Sequence, residues 1–199
     1  MTVYNSQEGY DLYAGAYDSK LEFLSSFEKD SFMKMLGDVK GKRILDVGCG
    51  TGRITGILRN AGAEVTACDI SEKMLKIVKK KFPDVETVAA DIEHLPFEDG
   101  SFDMVTAMFV IVHLKNPKKA FEEVYRVLKD GGRFIFSNIN QRKAPKLKTE
   151  KGGEIVIKSF YHLPKHVLRD IEACAFEIED EEFVYEEKVW INQIIGARK

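Results

Sequence analysis

Residues Ile44 to Gly52 read Ile-Leu-Asp-Val-Gly-Cys-Gly-Thr-Gly, an apolar strand that runs without a linker into a turn with glycines at Gly48, Gly50 and Gly52. Glycine lacks the Cβ that disfavours positive φ and close backbone approach, so three at alternate positions let the chain reverse tightly beneath a flat ligand. The helix expected from Arg53 to Asn60 directs its free amides at that ligand. A second strand, Glu64 to Asp69, ends in a carboxylate 21 residues after Gly48. In an open parallel sheet, an acid there lies beside the first turn and can accept both hydroxyls of a ribose. Asp69 can also cap the next helix, a duty open to Ser71 as well.

The glycine spacing separates one nucleoside ligand from another. A dinucleotide fingerprint needs G-x-G-x-x-G, and counted from Gly48 its last glycine falls at residue 53, which is Arg53. The spacing is instead G-x-G-x-G, and Asp46 stands two positions before the first glycine. A carboxylate so near repels a pyrophosphate and favours a ligand with an ammonium group. That combination points to S-adenosylmethionine. Asp46 can instead accept backbone amides of the turn, and the two roles are compatible.

Leu45 to Gly52, Asp69, Ala90-Asp-Ile92 and Leu95-Pro-Phe-Glu-Asp-Gly-Ser-Phe-Asp103 together resemble the class I S-adenosylmethionine-dependent methyltransferases, nearest the small ubiquinone/menaquinone-biosynthesis-type (methyltransferase type 11) branch. The likeness runs from about Tyr10 to the C-terminus and is strongest between Arg43 and Phe136. It implies that Asp91 bonds the adenine amino group, with the Ile92 amide facing a ring nitrogen. Taken alone, Asp91 is an ordinary loop acid after the strand Val85 to Ala89. Cys49 in the turn, and Ile70 and Met74 just past Asp69, complete the candidate cofactor residues of this half.

Strands centred on Leu45, Val65, Val88, Val105 and Ile135 alternate with helical signals over about Leu21–Leu36, Arg53–Asn60, Glu72–Lys81, Pro117–Val127 and Pro164–Ala173. This alternation predicts an α/β, Rossmann-like, doubly wound parallel sheet with helices on both faces. Lys129-Asp-Gly-Gly132 reads as a turn into the fifth strand, and Phe176–Val184 with Lys188–Ala197 as a terminal hairpin. The resemblance implies seven strands, the last antiparallel. The expected organisation is one domain over 1–199: N-terminal lid helices at 1–40, a cofactor-binding core at 41–138, a variable substrate loop at 139–163, and a helix with the hairpin at 164–199.

At 199 residues and 44% hydrophobic, the chain can bury a substantial core. No apolar run reaches the roughly 18 residues of a membrane span, and the N-terminus lacks the form of a signal peptide, so a cytoplasmic location is expected. Cys49, Cys68 and Cys174 are too scattered for a metal set or a disulfide pattern, and no metal is expected. A formal net charge of -2 argues against a general nucleic-acid binder. The oligomeric state is not legible.

The acceptor site is expected from segments outside the core. The fourth strand, Phe102 to Ala107, delivers Met108 and Phe109 to the rim of the cofactor site, where they contact the methionine portion or simply pack. His113, just beyond, titrates near neutral pH and can take a proton from an acceptor hydroxyl or acidic carbon, or serve structurally. Among the lid tyrosines Tyr10, Tyr13 and Tyr17, the candidate facing the ligand is Tyr17. The basic run Arg142, Lys143, Lys146, Lys148 and Lys151 either recruits an acidic acceptor or is solvated. Methylation of a small-molecule acceptor on oxygen or carbon is the expected reaction. RNA or protein methylation, an idle cofactor-binding module and a nicotinamide enzyme are the alternatives; Arg53 and Asp46 argue against the last.

Overall fold

The computed structural model describes residues 2–28 and 30–199. A two-residue strand β1 (Val3–Tyr4) leads into α1 (Ser6–Tyr17), capped by Asn5, whose side chain accepts the Glu8 amide at 2.9 Å. After a short 3-10 turn come α2 (Leu21–Ser26) and α3 (Ser31–Leu36). The single helix expected over Leu21–Leu36 is therefore broken, residue 29 lying outside the described residues. The Phe27 carbonyl accepts Asn192 Nδ2 at 2.9 Å, and the Glu28 carboxylate grips Arg53 through two bonds of 2.5 and 2.6 Å. Both contacts fall just past the end of α2, where the helix has stopped. α1 itself is absent from the helical signals read above, because its glycines and three tyrosines obscure any 3.6-residue periodicity. The structure gives one of those glycines a reason: a Cβ on Gly9 would sit 2.6 Å from Ile157 Cγ1.

The main sheet contains β2 (Arg43–Val47), β3 (Glu64–Asp69), β4 (Glu86–Ala89), β5 (Phe102–Ala107), β6 (Leu128–Ile139), and, beyond a small second sheet, β9 (Glu177–Glu186) and β10 (Val189–Arg198). Its order is β4-β3-β2-β5-β6-β10-β9. Strands β2 to β6 pair parallel, and the last strand, β10, lies antiparallel between β6 and β9. Side chains alternate between two covers, as a strand's period of two requires. Leu45, Val105 and Phe134 meet α6 (Lys118–Val127) and α7 (Pro164–Glu172) through Phe121, Val124, Val167 and Ile171. Ile44, Met104 and Ile135 meet α3 and α4 (Arg53–Asn60) through Phe32, Leu58 and Ile54, while Ala67 on that same face meets α5 (Glu72–Lys81) through Leu75 and Val78. Burial on both faces explains why these strands read as nearly unbroken apolar runs. Among the described residues, no helix is long and apolar enough to cross a membrane.

Two local readings change. Lys129–Gly132 belongs to β6, but the pairing with β5 jumps from Phe102↔Leu128 to Met104↔Arg133, so the segment expected as a turn bulges from the ladder. The segment expected as a loop over 139–163 contains β7 (Lys146–Lys148) and β8 (Glu154–Ile157), an antiparallel pair extended by β1 through Val3↔Val156 and Tyr4↔Ile157. This small sheet sits against α1 through Tyr13, Ile155 and Ile157. The strand order of the main sheet reverses between β2 and β5, and the carboxyl ends of those two strands define the crevice where ligands of such sheets bind.

Candidate active site

At the end of β2 the three turn glycines adopt φ of +63, +55 and +89°, all in the left-handed region that side chains other than glycine rarely enter. Cys49 N donates to the Cys68 carbonyl at 3.0 Å and Gly52 N to the Cys49 carbonyl at 3.0 Å, which locks the reversal. Gly48 and Gly50 line a cavity of about 320 Å³. Gly52 and Cys49 do not: Gly52 is the N-cap of α4, where a Cβ would press within 3.0 Å of Phe82, and Cys49 packs with Ala67, Leu75 and Val78. Burial pushes the Cys49 thiol well above its ordinary value, which disfavours the thiolate form that a nucleophile needs.

Asp69 and Asp91 face the same cavity from the ends of β3 and β4. Asp69 accepts Gly50 N on one oxygen and Ser71 N on the other, both at 2.8 Å, while Ser71 caps α5 by accepting Met74 N at 3.2 Å. The cap therefore falls to Ser71. Each Asp69 oxygen keeps a second lone pair for a ligand donor. Burial raises its carboxyl above the usual value despite those amide bonds. Asp91 is half-buried and accepts Glu93 N at 2.9 Å. Ile70, Met74, Ile92 and Met108 supply apolar wall.

Asp46 is 1% exposed and lies outside the lining of the cavity. Its oxygens accept the Thr55 hydroxyl at 2.6 Å and the Thr106 hydroxyl at 2.9 Å, tying β2 to α4 and β5. Its partners are thus threonine hydroxyls rather than amides of the turn. Burial still outweighs these bonds and pushes its carboxyl up to about 6.

A second cavity of about 570 Å³ opens beside the first, and Tyr10, Tyr17, Phe109 and His113 line both. Its own walls are largely apolar, with Leu24, Phe27, Val112, Leu147 and Ile157. Lys143 and Lys146 of the basic run border it, Arg142 borders it and a neighbouring cleft, and Lys148 and Lys151 are exposed elsewhere. Tyr17 lies over the glycine turn, within 3.6 Å of where a Cβ on Gly50 would be. Phe109 carries φ +63° in a bulky residue, a strained conformation held by its amide donating to Ser137 Oγ at 2.7 Å and by edge contact with Phe27.

His113 sits on a 3-10 turn after β5, with its ring fixed on both sides. Nδ1 bonds the Lys158 carbonyl at 3.0 Å, and since a carbonyl only accepts, Nδ1 bears the hydrogen. Nε2 of the neutral ring is then an acceptor, and the Tyr10 hydroxyl donates to it at 2.7 Å. Burial holds the imidazole below its ordinary value, so it is neutral at pH near 7. The Tyr10 contact escaped the sequence reading, since 103 residues separate the pair. The lining by Asn5, Ser6 and Gln7 was also missed; the helix-capping Asn5-Ser6 was the available signal. His162 braces the turn by bonding the carbonyls of Ile111 and Leu114, and His94 lies by Lys119, away from both cavities.

A family profile described as a methyltransferase domain matches residues 45–136. The chain is 35% identical over 140 residues to a demethylmenaquinone methyltransferase of Paenarthrobacter aurescens, a match covering 68% of this chain and 55% of that protein. It is 30% identical over 163 residues to a ubiquinone biosynthesis O-methyltransferase of Bordetella avium, covering 78% and 68%. The chain thus spans little more than half the length of the first of these relatives. Among solved structures, an S-adenosylmethionine-dependent methyltransferase from Mesorhizobium loti superposes with a TM-score of 0.75 at 22% identity, covering 87% of this chain and 98% of that one, a likeness of fold.

Proposed function

The chain belongs to the methyltransferase-domain family of S-adenosylmethionine-dependent enzymes, and from that premise we propose that it transfers a methyl group to an oxygen or carbon of a small, largely apolar acceptor held in the second cavity. The observation that carries this reading is the shared wall: Tyr10, Tyr17, Phe109 and His113 face both cavities at once. Volumes of about 320 and 570 Å³ are in the range of small-molecule sites. The relatives named for demethylmenaquinone and ubiquinone biosynthesis support a ring acceptor of quinone type.

The first cavity fits the cofactor in its donor set. Gly48 and Gly50 allow close approach to the backbone, the spare lone pairs of Asp69 suit a ribose diol, and Asp91 with Ile92 suits an adenine edge. When bound, S-adenosylmethionine supplies a methyl already activated by its sulfonium, so no protein nucleophile is required. The chain's own task is alignment, exclusion of water and removal of one proton. Tyr17 and Phe109 close the wall between nucleoside and acceptor. For a hydroxyl acceptor, its proton passes to the Tyr10 oxygen as the Tyr10 proton passes to His113 Nε2, and the Lys158 carbonyl steadies the resulting imidazolium at Nδ1. The lowered basicity of His113 keeps it ready to accept that proton at neutral pH.

The test is incubation of the full chain with S-adenosylmethionine and a panel of hydroquinones, phenols and active-methylene compounds, read by mass spectrometry. The expected result is one added methyl on at least one ring hydroxyl or acidic carbon. Cofactor binding with no transfer to any member would defeat the reading.

A further inference from the structure

The basic run splits in the fold. Arg142 stacks over the Tyr161 ring at 4.8 Å, and its Nη2 donates to the Tyr161 hydroxyl at 3.4 Å. Behind it, a separate cleft of about 350 Å³ opens between the starts of α6 and α7, lined by Lys115, Arg142, His166 and Arg169 with, among the described residues, a single carboxylate, Asp170. That carboxylate is already taken by Arg169, at 2.7 Å. Among the described residues, no acidic side chain pairs with Lys115, Arg142, Lys143 or Lys146. The whole chain has 30 Lys and Arg against 32 Asp and Glu, so composition does not account for this local excess. Some cations elsewhere are matched, as Arg133 is by Glu179 and Asp180 and Arg126 by Asp99 and Glu123, and others, such as Lys73 and Lys148, stand singly on the surface rather than grouped at a cavity mouth.

Arg142 also lines the large apolar cavity. Among the described residues it is the one that borders both spaces, and its planar fork stacks on Tyr161 at their junction. A guanidinium has five donors, of which the Tyr161 bond uses one. A ligand seated with its apolar body in the large cavity would meet this fork and the cations behind it at one end.

We propose that the acceptor carries an oxyanion, a phosphate or a carboxylate, which docks on Arg142 at the mouth of the cleft between α6 and α7. The assignment rests on the methyl-transfer reading for the identity of the large cavity and deepens it by naming the acceptor's charge. It specifies an amphipathic molecule, ring in the apolar cavity and anion on the arginine. Bidentate charge-assisted bonding at such a fork sets the discrimination against a neutral analogue at about tenfold or more.

The experiment is calorimetric titration of the full chain, in the presence of S-adenosylhomocysteine, with 1-naphthyl phosphate, 1-naphthoate and neutral 1-naphthol. The expected result is that at least one anion binds about tenfold tighter than naphthol, that added salt erodes the preference, and that Arg142→Gln abolishes it while Lys148→Gln leaves it intact. Tighter phosphate binding assigns a phosphate-bearing acceptor, and tighter naphthoate a carboxylate. Naphthol binding as well as both anions, or a preference that persists in Arg142→Gln, would overturn the proposal. Affinity for S-adenosylhomocysteine is the control, expected unchanged in both variants. A chain indifferent to S-adenosylhomocysteine that still shows an Arg142-dependent preference would sink the methyl-transfer reading and leave the anion site standing.

Discussion

Replacing Asp46 with asparagine separates what this acid does for the fold from what it does for a ligand. The carboxyl is 1% exposed, and burial lifts it from 3.8 to about 6 although two threonine hydroxyls bond it. A shift of about two pH units corresponds to about 3 kcal/mol between the ionised and neutral forms. The sign follows from proton uptake. Between about pH 4 and about pH 6 the native state holds more protons at this site than the unfolded chain, so its contribution to stability falls as pH rises through that window. Asp46→Asn keeps the shape without the charge. Its stability relative to the natural protein should therefore improve by up to about 3 kcal/mol from about pH 4 to above pH 7. Urea unfolding followed by circular dichroism across that range measures the difference, and constant effects of the substitution cancel in its slope. A gap that stays flat, or narrows as pH rises, would refute the reasoning. If the carboxylate also holds the ammonium group of the cofactor, the same variant should bind S-adenosylhomocysteine at least about tenfold more weakly. Unchanged affinity would confine Asp46 to its threonines.

For the proton step, kcat/KM should fall on the acid side with an apparent value below 6.5, the ordinary histidine value. Burial of His113 depresses its pKa, so activity persists to lower pH than a free imidazole would allow. Tyr10→Phe should lower kcat with little change in affinity for S-adenosylhomocysteine, and an acid limb unmoved by His113→Asn would contradict the assignment. At the nucleoside end, Asp69→Asn should weaken S-adenosylhomocysteine by about ten- to a hundredfold, the loss expected for charge-assisted hydrogen bonds, with calorimetry as the check.

The parts legible in the sequence are those whose physics is local. Three glycines at alternate positions announced their left-handed φ, unbroken apolar runs announced strands covered on both faces, and an acid closing the second strand announced its place beside the turn. What stayed hidden depends on long-range pairing. Thr106 lies directly across from Asp46 in the β2–β5 register, so its bond becomes visible only once the strand order is known. Lys146–Lys148 and Glu154–Ile157 are too short to announce strands, and their third partner is two residues near the opposite end of the chain. The break between α2 and α3 is contacted by Arg53 and Asn192, neither of them near it in sequence. The Tyr10–His113 bond likewise joins a lid helix to the far side of the core.

The claim on which the rest depends is that the crevice above Gly48 and Gly50 is shaped for an adenosyl sulfonium rather than a diphosphate. Calorimetric titration of the full chain with S-adenosylhomocysteine, run beside NADH, addresses it directly. One molecule of S-adenosylhomocysteine bound per chain, with no heat from NADH, is the predicted outcome; saturable NADH binding with none from S-adenosylhomocysteine would contradict it.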